Sequence, residues 1–460
     1  MILVSQGEIN GNGPIKAFFD GASSDASTVF FRTAERLARG DIDGSTDIYK
    51  RAAGRTILVS TSQAHPNGSF EASFEGASTD GSKVLFSTAE QLVGADTDHS
   101  VDIYERSGGA TRLVSKGQIN GNGAFDALLS PVSCQPVGHP TCGEVTGDGS
   151  KVFFTTAEQL VSDDTDNALD VYERSGGSTT LVSRGQINGN GATPALFDGA
   201  SADGSKVFFD TDEKLVSGDA DTFTDVYERA GGLTTEVSRG PTTGDGSFPY
   251  FTHFGGATSD GSKVWFYTRE PLVGADTDAA YDVYQRSAGT TTLISRGQVN
   301  GNGDFDAVGV LANSDGSRVF FETDEPLVAG DVNNVLDTYE RFGGKTIWVT
   351  QGPVSFTGSS HGAPISAIAN DGATAFFATD EPLVSADTDS AYDVYQRTAG
   401  KTTLLSKGQI NGNGAFDARF GGASSDGSKV FFETEEELVP GAPHGGIYER
   451  SGGATKLISG

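Results

Sequence analysis

Seven stretches of the 460-residue sequence set acidic side chains at fixed offsets, each a close variant of T-x-E-x-L-V-x-x-D-x-D-x-x-x-D-[VI]-Y. The triplets are Asp41, Asp43 and Asp47; Asp96, Asp98 and Asp102; Asp164, Asp166 and Asp170; Asp219, Asp221 and Asp225; Asp276, Asp278 and Asp282; Asp331, Asn333 and Asp337; and Asp387, Asp389 and Asp393. A glutamate stands six residues before each: Glu35, Glu90, Glu158, Glu213, Glu270, Glu325 and Glu381. Hard cations such as Ca²⁺ take six to eight oxygens from carboxylates, amides and carbonyls on a loop that curls around the ion. Acids at positions 1, 3 and 7, with a carbonyl near position 5, supply such a set. The spacing matches the first half of an EF-hand loop, without its glycine at 6 and glutamate at 12. Mg²⁺ suits it less, because that ion demands a rigid octahedron and keeps several waters. The competing reading is that aspartate simply favours turns. Against it, these groups gather 27 of the 62 acids, and three or four carboxylates in one loop repel each other without a cation. A halophilic surface would spread its acids rather than cluster them. Several structural Ca²⁺ ions are therefore expected, with the glutamate completing the shell or bracing it.

The elements that must position these loops follow from an internal repeat. A D-G-S-K-V-F-F phrase recurs with its aspartate at Asp25, Asp80, Asp148, Asp203, Asp260, Asp315, Asp371 and Asp426, spaced 55 to 57 residues apart except for one interval of 68. Each repeat holds four short strand-like runs. In the fourth these are strand a near 194–199, b at 206–210, c at 225–228 and d at 234–238, separated by S-x-D-G-S and R-x-G-G turns suited to tight hairpins. The V-F-F of strand b does not alternate, as expected of a sheet covered on both faces. Eight four-stranded antiparallel units of about 55 residues predict an all-β, eight-bladed β-propeller spanning residues 1–460 as a single domain, with an insertion at about 131–145. Strand d occurs nine times, beginning at Ile2–Ser5, so the first copy either completes the last blade or is surplus.

The phrases Ser201-Ala202-Asp203-Gly204-Ser205-Lys206-Val207-Phe208-Phe209 and Asp225-Val226-Tyr227-Glu228-Arg229 resemble those of the TolB-type, WD-repeat-like propeller family over nearly the whole chain. The resemblance implies the fold; such propellers serve many roles, so it implies little about activity.

In an antiparallel blade the b–c and d–a connections share one face, so the Asp loops lie beside a second motif, G-x-[IV]-N-G-N-G. It occurs at 9–13, 119–123, 187–191, 299–303 and 410–414, with divergent loops such as His65-Pro66-Asn67-Gly68 and Phe356-Thr357-Gly358 elsewhere. It reads as a turn needing positive φ, or as an array of amides for a glycan or peptide. Asp126, Asp306, Asp417 and Glu71 are expected near a central channel, as solvated lining or, in an alternative reading, as the acid and base of a polysaccharide or peptide hydrolase or lyase. Cys134 and Cys142 in the insertion read as a local disulfide of an exported protein. A zinc site of these two with His139 lacks a fourth ligand. Gly358-Ser359-Ser360-His361-Gly362 has the G-x-S-x-G form of a nucleophile elbow, but an all-β context denies it the strand–turn–helix it needs.

The 63 glycines exclude a helical protein, and a formal charge of −30 argues against nucleic-acid binding. No apolar run reaches the length of a membrane-spanning helix, and no signal-like segment follows Met1. The expectation is thus a non-catalytic, monomeric, exported calcium-binding interaction or scaffold module. Its protein, peptide or glycan partner would bind on the Asp-loop face or in the channel, a lectin-like role being one alternative.

Overall fold

The computed structural model describes residues 4–11, 13–62, 67–129, 144–242, 251–353 and 362–459. The protein is an all-β β-propeller of eight four-stranded antiparallel blades, each with strands in the order a-b-c-d, and no helix occurs among the described residues. Blades 1 to 4 belong to one compact unit ending at Glu236, and blades 5 to 8 to a second beginning at Val237.

Blade 4 shows how closely sequence and structure agree. Its strands are Ala195–Ala200, Lys206–Thr211, Asp225–Ala230 and Leu233–Glu236. Strand c outruns the expected Glu228 by two residues because its pairing with strand b continues to Lys206↔Ala230 at the mouth of the Gly231-Gly232 turn. Strand a carries a bulge between Phe197 and Gly199, which the sequence reading did not anticipate. Blade 8 is completed by its own strand d, Ala454–Ser459, six residues long where other blades have four. Of the surplus first copy, Val4 packs against blade 1 beside Leu37 and Tyr49, while Ile2 lies outside the described residues.

The core sits between consecutive blades within each unit. Strand b is buried on both faces, as its V-F-F predicts, and clusters join Phe30 and Ile48 of blade 1 to Val84 and Phe86 of blade 2, and Trp265 and Val283 of blade 5 to Val319 and Phe321 of blade 6. Within blades, the second Phe of strand b stacks on the Tyr of strand c, as in Phe154 on Tyr172 at 5.7 Å. The repeated Arg of strand c reaches back to the preceding blade: Arg106 donates to the Thr61 carbonyl at 3.0 Å and Arg174 to that of Lys116 at 3.1 Å. The Lys of the marker phrase reaches forward, Lys151 donating to the Gly204 carbonyl at 2.6 Å. In blades 2 and 3 both faces of the b–c hairpin are thus pinned before any loop is considered.

Candidate metal centre

Each Asp loop is a chain of side-chain-capped turns, the local chemistry that aspartate offers the backbone. In blade 2, the Asp98 amide donates to Asp96 Oδ1 at 3.3 Å and the Ser100 amide to Asp98 Oδ1 at 2.7 Å. The Tyr104 hydroxyl, two residues beyond the last aspartate, donates to Asp96 Oδ2 and to the Glu90 carbonyl. The Ser115 hydroxyl at the end of strand d donates to Asp102 Oδ1 while accepting the Ile103 amide at 3.0 Å. Blades 1, 3 and 7 repeat this arrangement, with Ser60, Ser183 and Ser406 in the place of Ser115. In blade 6, Thr350 takes that place and Trp348 Nε1 adds a bond to Asp337 at 2.7 Å.

Turn bonds use one oxygen of the third-position and seventh-position acids and leave the other. Asp43 Oδ2, Asp47 Oδ2 and Asp166 Oδ2 are enclosed and have no hydrogen-bond partner, and Asp47 is 1% exposed. In the triads of blades 1 to 5, one carboxylate oxygen from each aspartate lies within 4.8 Å of the others. That is about the largest separation two oxygens can have on one ion at a Ca–O distance of about 2.4 Å.

The electrostatics separate these acids from ordinary turn aspartates. Asp80 in a D-G-S turn is held down to about 2 by bonds from Ser78 and Ser82. The last acid of the loop moves the opposite way in blades 1 to 3 and 5 to 7. Burial, then the charges of its two loop partners, push Asp47 and Asp102 up to about 7 and Asp170 and Asp282 up to about 8. Asp96, Asp164, Asp276 and Asp387 are raised by burial as well. A buried carboxylate cluster relieves such a load by taking up protons or a cation.

The N-G-N-G turn is fastened on both sides. Asn122 Oδ1 accepts the Thr97 amide at 2.6 Å and its Nδ2 donates to the Ala95 carbonyl at 2.8 Å, locking the turn to the Asp loop of blade 2. On its other side the amides of Gly121, Asn122 and Gly123 converge on Glu158 Oε1 at 3.0, 2.9 and 2.6 Å. Glycine is required: a Cβ on Gly123 would stand 2.8 Å from Glu158 Oε1, and Gly121 has φ +142°. The Thr amide bond to the asparagine recurs at Asn190, Asn302 and Asn413, and the Gly301 and Gly303 amides reach Glu325 Oε1 at 3.2 and 2.8 Å. The divergent first loop keeps them too, since Asn67 bonds Asp47 and Gly68 bonds Glu90.

Several expectations are thereby placed or corrected. In every acidic triplet positions 1 and 3 lie in the b–c loop and position 7 opens strand c, with positions 1 and 7 buried, and Asn333 takes the third-position role by accepting the Val335 amide at 3.0 Å. The glutamate, however, turns its carboxylate away from its own loop. Glu158 acts on Asp98 and Asp102 of the preceding blade, Glu325 on Asp278 and Asp282, and Glu90 on Asp43. The offset of six residues reflects the own-blade tyrosine, which bonds the glutamate's backbone carbonyl. The amide array is corrected as well, because the second asparagine of the motifs at 119–123, 187–191, 299–303 and 410–414 is consumed in holding the loop. Asp126, Asp306 and Asp417 also brace it, accepting the amides of Val101, Tyr281 and Tyr392. Glu71 is exposed. Cys134, Cys142, His139 and Ser359 lie outside the described residues.

Two groups escaped the sequence reading. The Ser or Thr thirteen residues after the last aspartate is periodic and was readable, but pairs with it only through the c–d hairpin. Asp198 and Asp210 of blade 4 meet because of the strand-a bulge. Asp198 Oδ2 is enclosed without a partner; burial, then the charge of Asp210, holds Asp198 well above the usual range, and burial, then the charge of Asp212, holds Asp210 at about 7.

No protein-family model matches the chain, and no curated protein matches it. Among solved structures, a chain from a structural and mechanistic study of two prolyl endopeptidases aligns at 14% identity and a TM-score of 0.44, over 91% of this chain and 54% of that one. This chain thus spans about half the length of that relative. The β-propeller domain of the Trilobed protease from Pyrococcus furiosus, described as having an open velcro topology, aligns at 10% identity and a TM-score of 0.38, over 86% and 99% of the two chains.

Proposed function

We propose that the protein is a non-catalytic, calcium-stabilised β-propeller, monomeric and exported, that acts as an interaction or scaffold module. The observation that carries the metal reading is the orphaned Asp47 Oδ2, fully enclosed beside Asp41 and Asp43. An ionised oxygen so placed costs several kcal/mol unless a cation or proton meets it. Support for an interaction role comes from the N-G-N-G turns. Ile119, Ile187, Val299 and Ile410 at their tips are 54–58% exposed while the flanking residues fix the backbone, which presents rigid apolar points to a protein, peptide or glycan. Metal content of the purified protein, with thermal melts in calcium and in chelator, tests the proposal. Several Ca²⁺ per chain and a large melt shift are expected, and replacing Asp164 and Asp166 by Ala should remove about one ion. A metal-free protein with identical melts would refute it.

The Asp198–Asp210 pair favours a second reading, a hydrolase or lyase in which one carboxyl of blade 4 donates a proton and the other accepts one. Asp198→Asn and Asp210→Asn would then each abolish turnover in a polysaccharide and peptide substrate screen; an absence of turnover in the unmodified protein removes that reading.

A further inference from the structure

We propose that, within each unit, a cation is held across two consecutive blades, with the glutamate of the following blade as its fourth acidic group, so that the ion joins blades as well as ordering a loop. The proposal rests on the calcium reading above and specifies how those sites are built.

Three observations point to it. The first is the cradle. Three successive backbone N–H groups converge on Glu158 Oε1, an arrangement that binds anions. The turn supplying those donors is the one whose Asn122 and Gly123 hold Thr97 and Ser100 of the preceding Asp loop, Ser100 Oγ donating to the Gly123 carbonyl at 3.1 Å. One rigid segment therefore aims the glutamate of blade 3 and the aspartates of blade 2 together. The second is the orphaned oxygen. Asp47, 1% exposed, keeps Oδ2 unpartnered, and the nearby Asp43 adds its charge to that of Glu90 in blade 2. The third is the exception. Blade 8 has no aspartates at positions 1, 3 and 7, yet it retains Glu436, which is buried, accepts the Gly412 amide at 3.2 Å and adds its charge at Asp393 of blade 7. A glutamate serving its own blade would have nothing to serve there.

Glu158→Gln and Glu90→Gln test this, because the glutamine oxygen can still accept the backbone donors while the charge is lost. Calcium binding by equilibrium dialysis and hydrogen exchange at Gly121–Gly123 would be compared with the unmodified protein and with the Asp164/Asp166→Ala variant. The expected result is one site weakened about tenfold or more in each Gln variant, and loss of calcium-dependent protection at Gly121–Gly123 in Glu158→Gln. Unchanged calcium binding in both Gln variants, with one ion lost from the Asp164/Asp166 variant, overturns the inter-blade site and leaves the calcium reading standing. If Glu158→Gln does not fold, Glu90→Gln decides alone. No calcium on the unmodified protein overturns both.

Discussion

Raising the pH in the absence of divalent cations should weaken this protein, although most proteins of its acidity lose stability in acid. The sign follows from the loop carboxyls. Asp47 moves from 3.8 to about 7 on folding, chiefly through burial and then through the charges of Asp41 and Asp43. Because the folded value lies above the unfolded one, the folded chain holds a proton that the unfolded chain has released between about pH 4 and 7, so stability falls as pH rises through that window. Three units correspond to about 4 kcal/mol at one site. Asp102, Asp170, Asp282, Asp337 and Asp393 carry similar shifts. Were they independent, their sum would exceed the roughly 5–15 kcal/mol that stabilises a typical domain. The chelated protein at pH 8 is thus expected to sit near its unfolding threshold.

On the calcium proposal the ion should invert that dependence, since it would bind the carboxylate and displace the proton. At pH 6.5 a carboxyl titrating at about 7 is roughly three-quarters protonated, so each cation should release about 0.8 proton. Melts from pH 5 to 8 in chelator should fall with pH, and melts in calcium should rise or stay level. Calorimetric titration in two buffers of different ionisation enthalpy reads the released proton directly. Melts in chelator that rise with pH, or calcium binding without proton release, would refute the reasoning.

Two further outcomes follow from the packing. Gly117→Ala places a Cβ 1.7 Å from the Leu160 carbonyl oxygen, a backbone atom that cannot step aside, and should cost about 3 kcal/mol in urea unfolding, whereas Gly94→Ala, which faces open space, should be near neutral. Tyr172→Phe removes the buried hydroxyl that serves Asp164 Oδ2 and the Glu158 carbonyl, and should cost about 1–3 kcal/mol while weakening calcium at one loop, read by unfolding with and without the ion.

The blades were legible because each strand carries its own turn chemistry: the D-G-S and Gly-Gly phrases end strands at fixed places, and V-F-F marks the doubly covered strand b. The triads were legible for the same reason, since all three acids sit on one loop. What stayed hidden depends on packing between elements. Glu158 is six residues from Asp164 in the chain, yet its carboxylate acts on Asp98, because the tyrosine bond takes only its backbone while the Gly121–Gly123 turn captures its side chain. Asp198 and Asp210 were invisible as a pair because a one-residue bulge, not an alternation pattern, brings them to the same side.

Blade 8 separates what the turn needs from what the acids do. Ala442 stands there six residues after Glu436, in the place of a first-position aspartate, and its amide donates to the Val439 carbonyl at 3.1 Å, the bond that Asp96 makes to Val93 at 3.0 Å. Tyr448 still bonds the Glu436 carbonyl at 2.9 Å and the Leu438 amide still reaches that hydroxyl. The opening turn and its tyrosine anchor therefore form without an acid at positions 1, 3 or 7, with Glu437 accepting the Gly441 amide at 3.0 Å. Turn propensity alone consequently leaves unexplained the two buried acids, at positions 1 and 7, in each of the other loops. Seven blades keep the acidic pattern, with one Asn substitution, and the triads of blades 1 to 5 bring their oxygens within reach of one ion; on the calcium proposal, a bound cation would offset the cost of burying these acids, a cost that is absent where the pattern is gone.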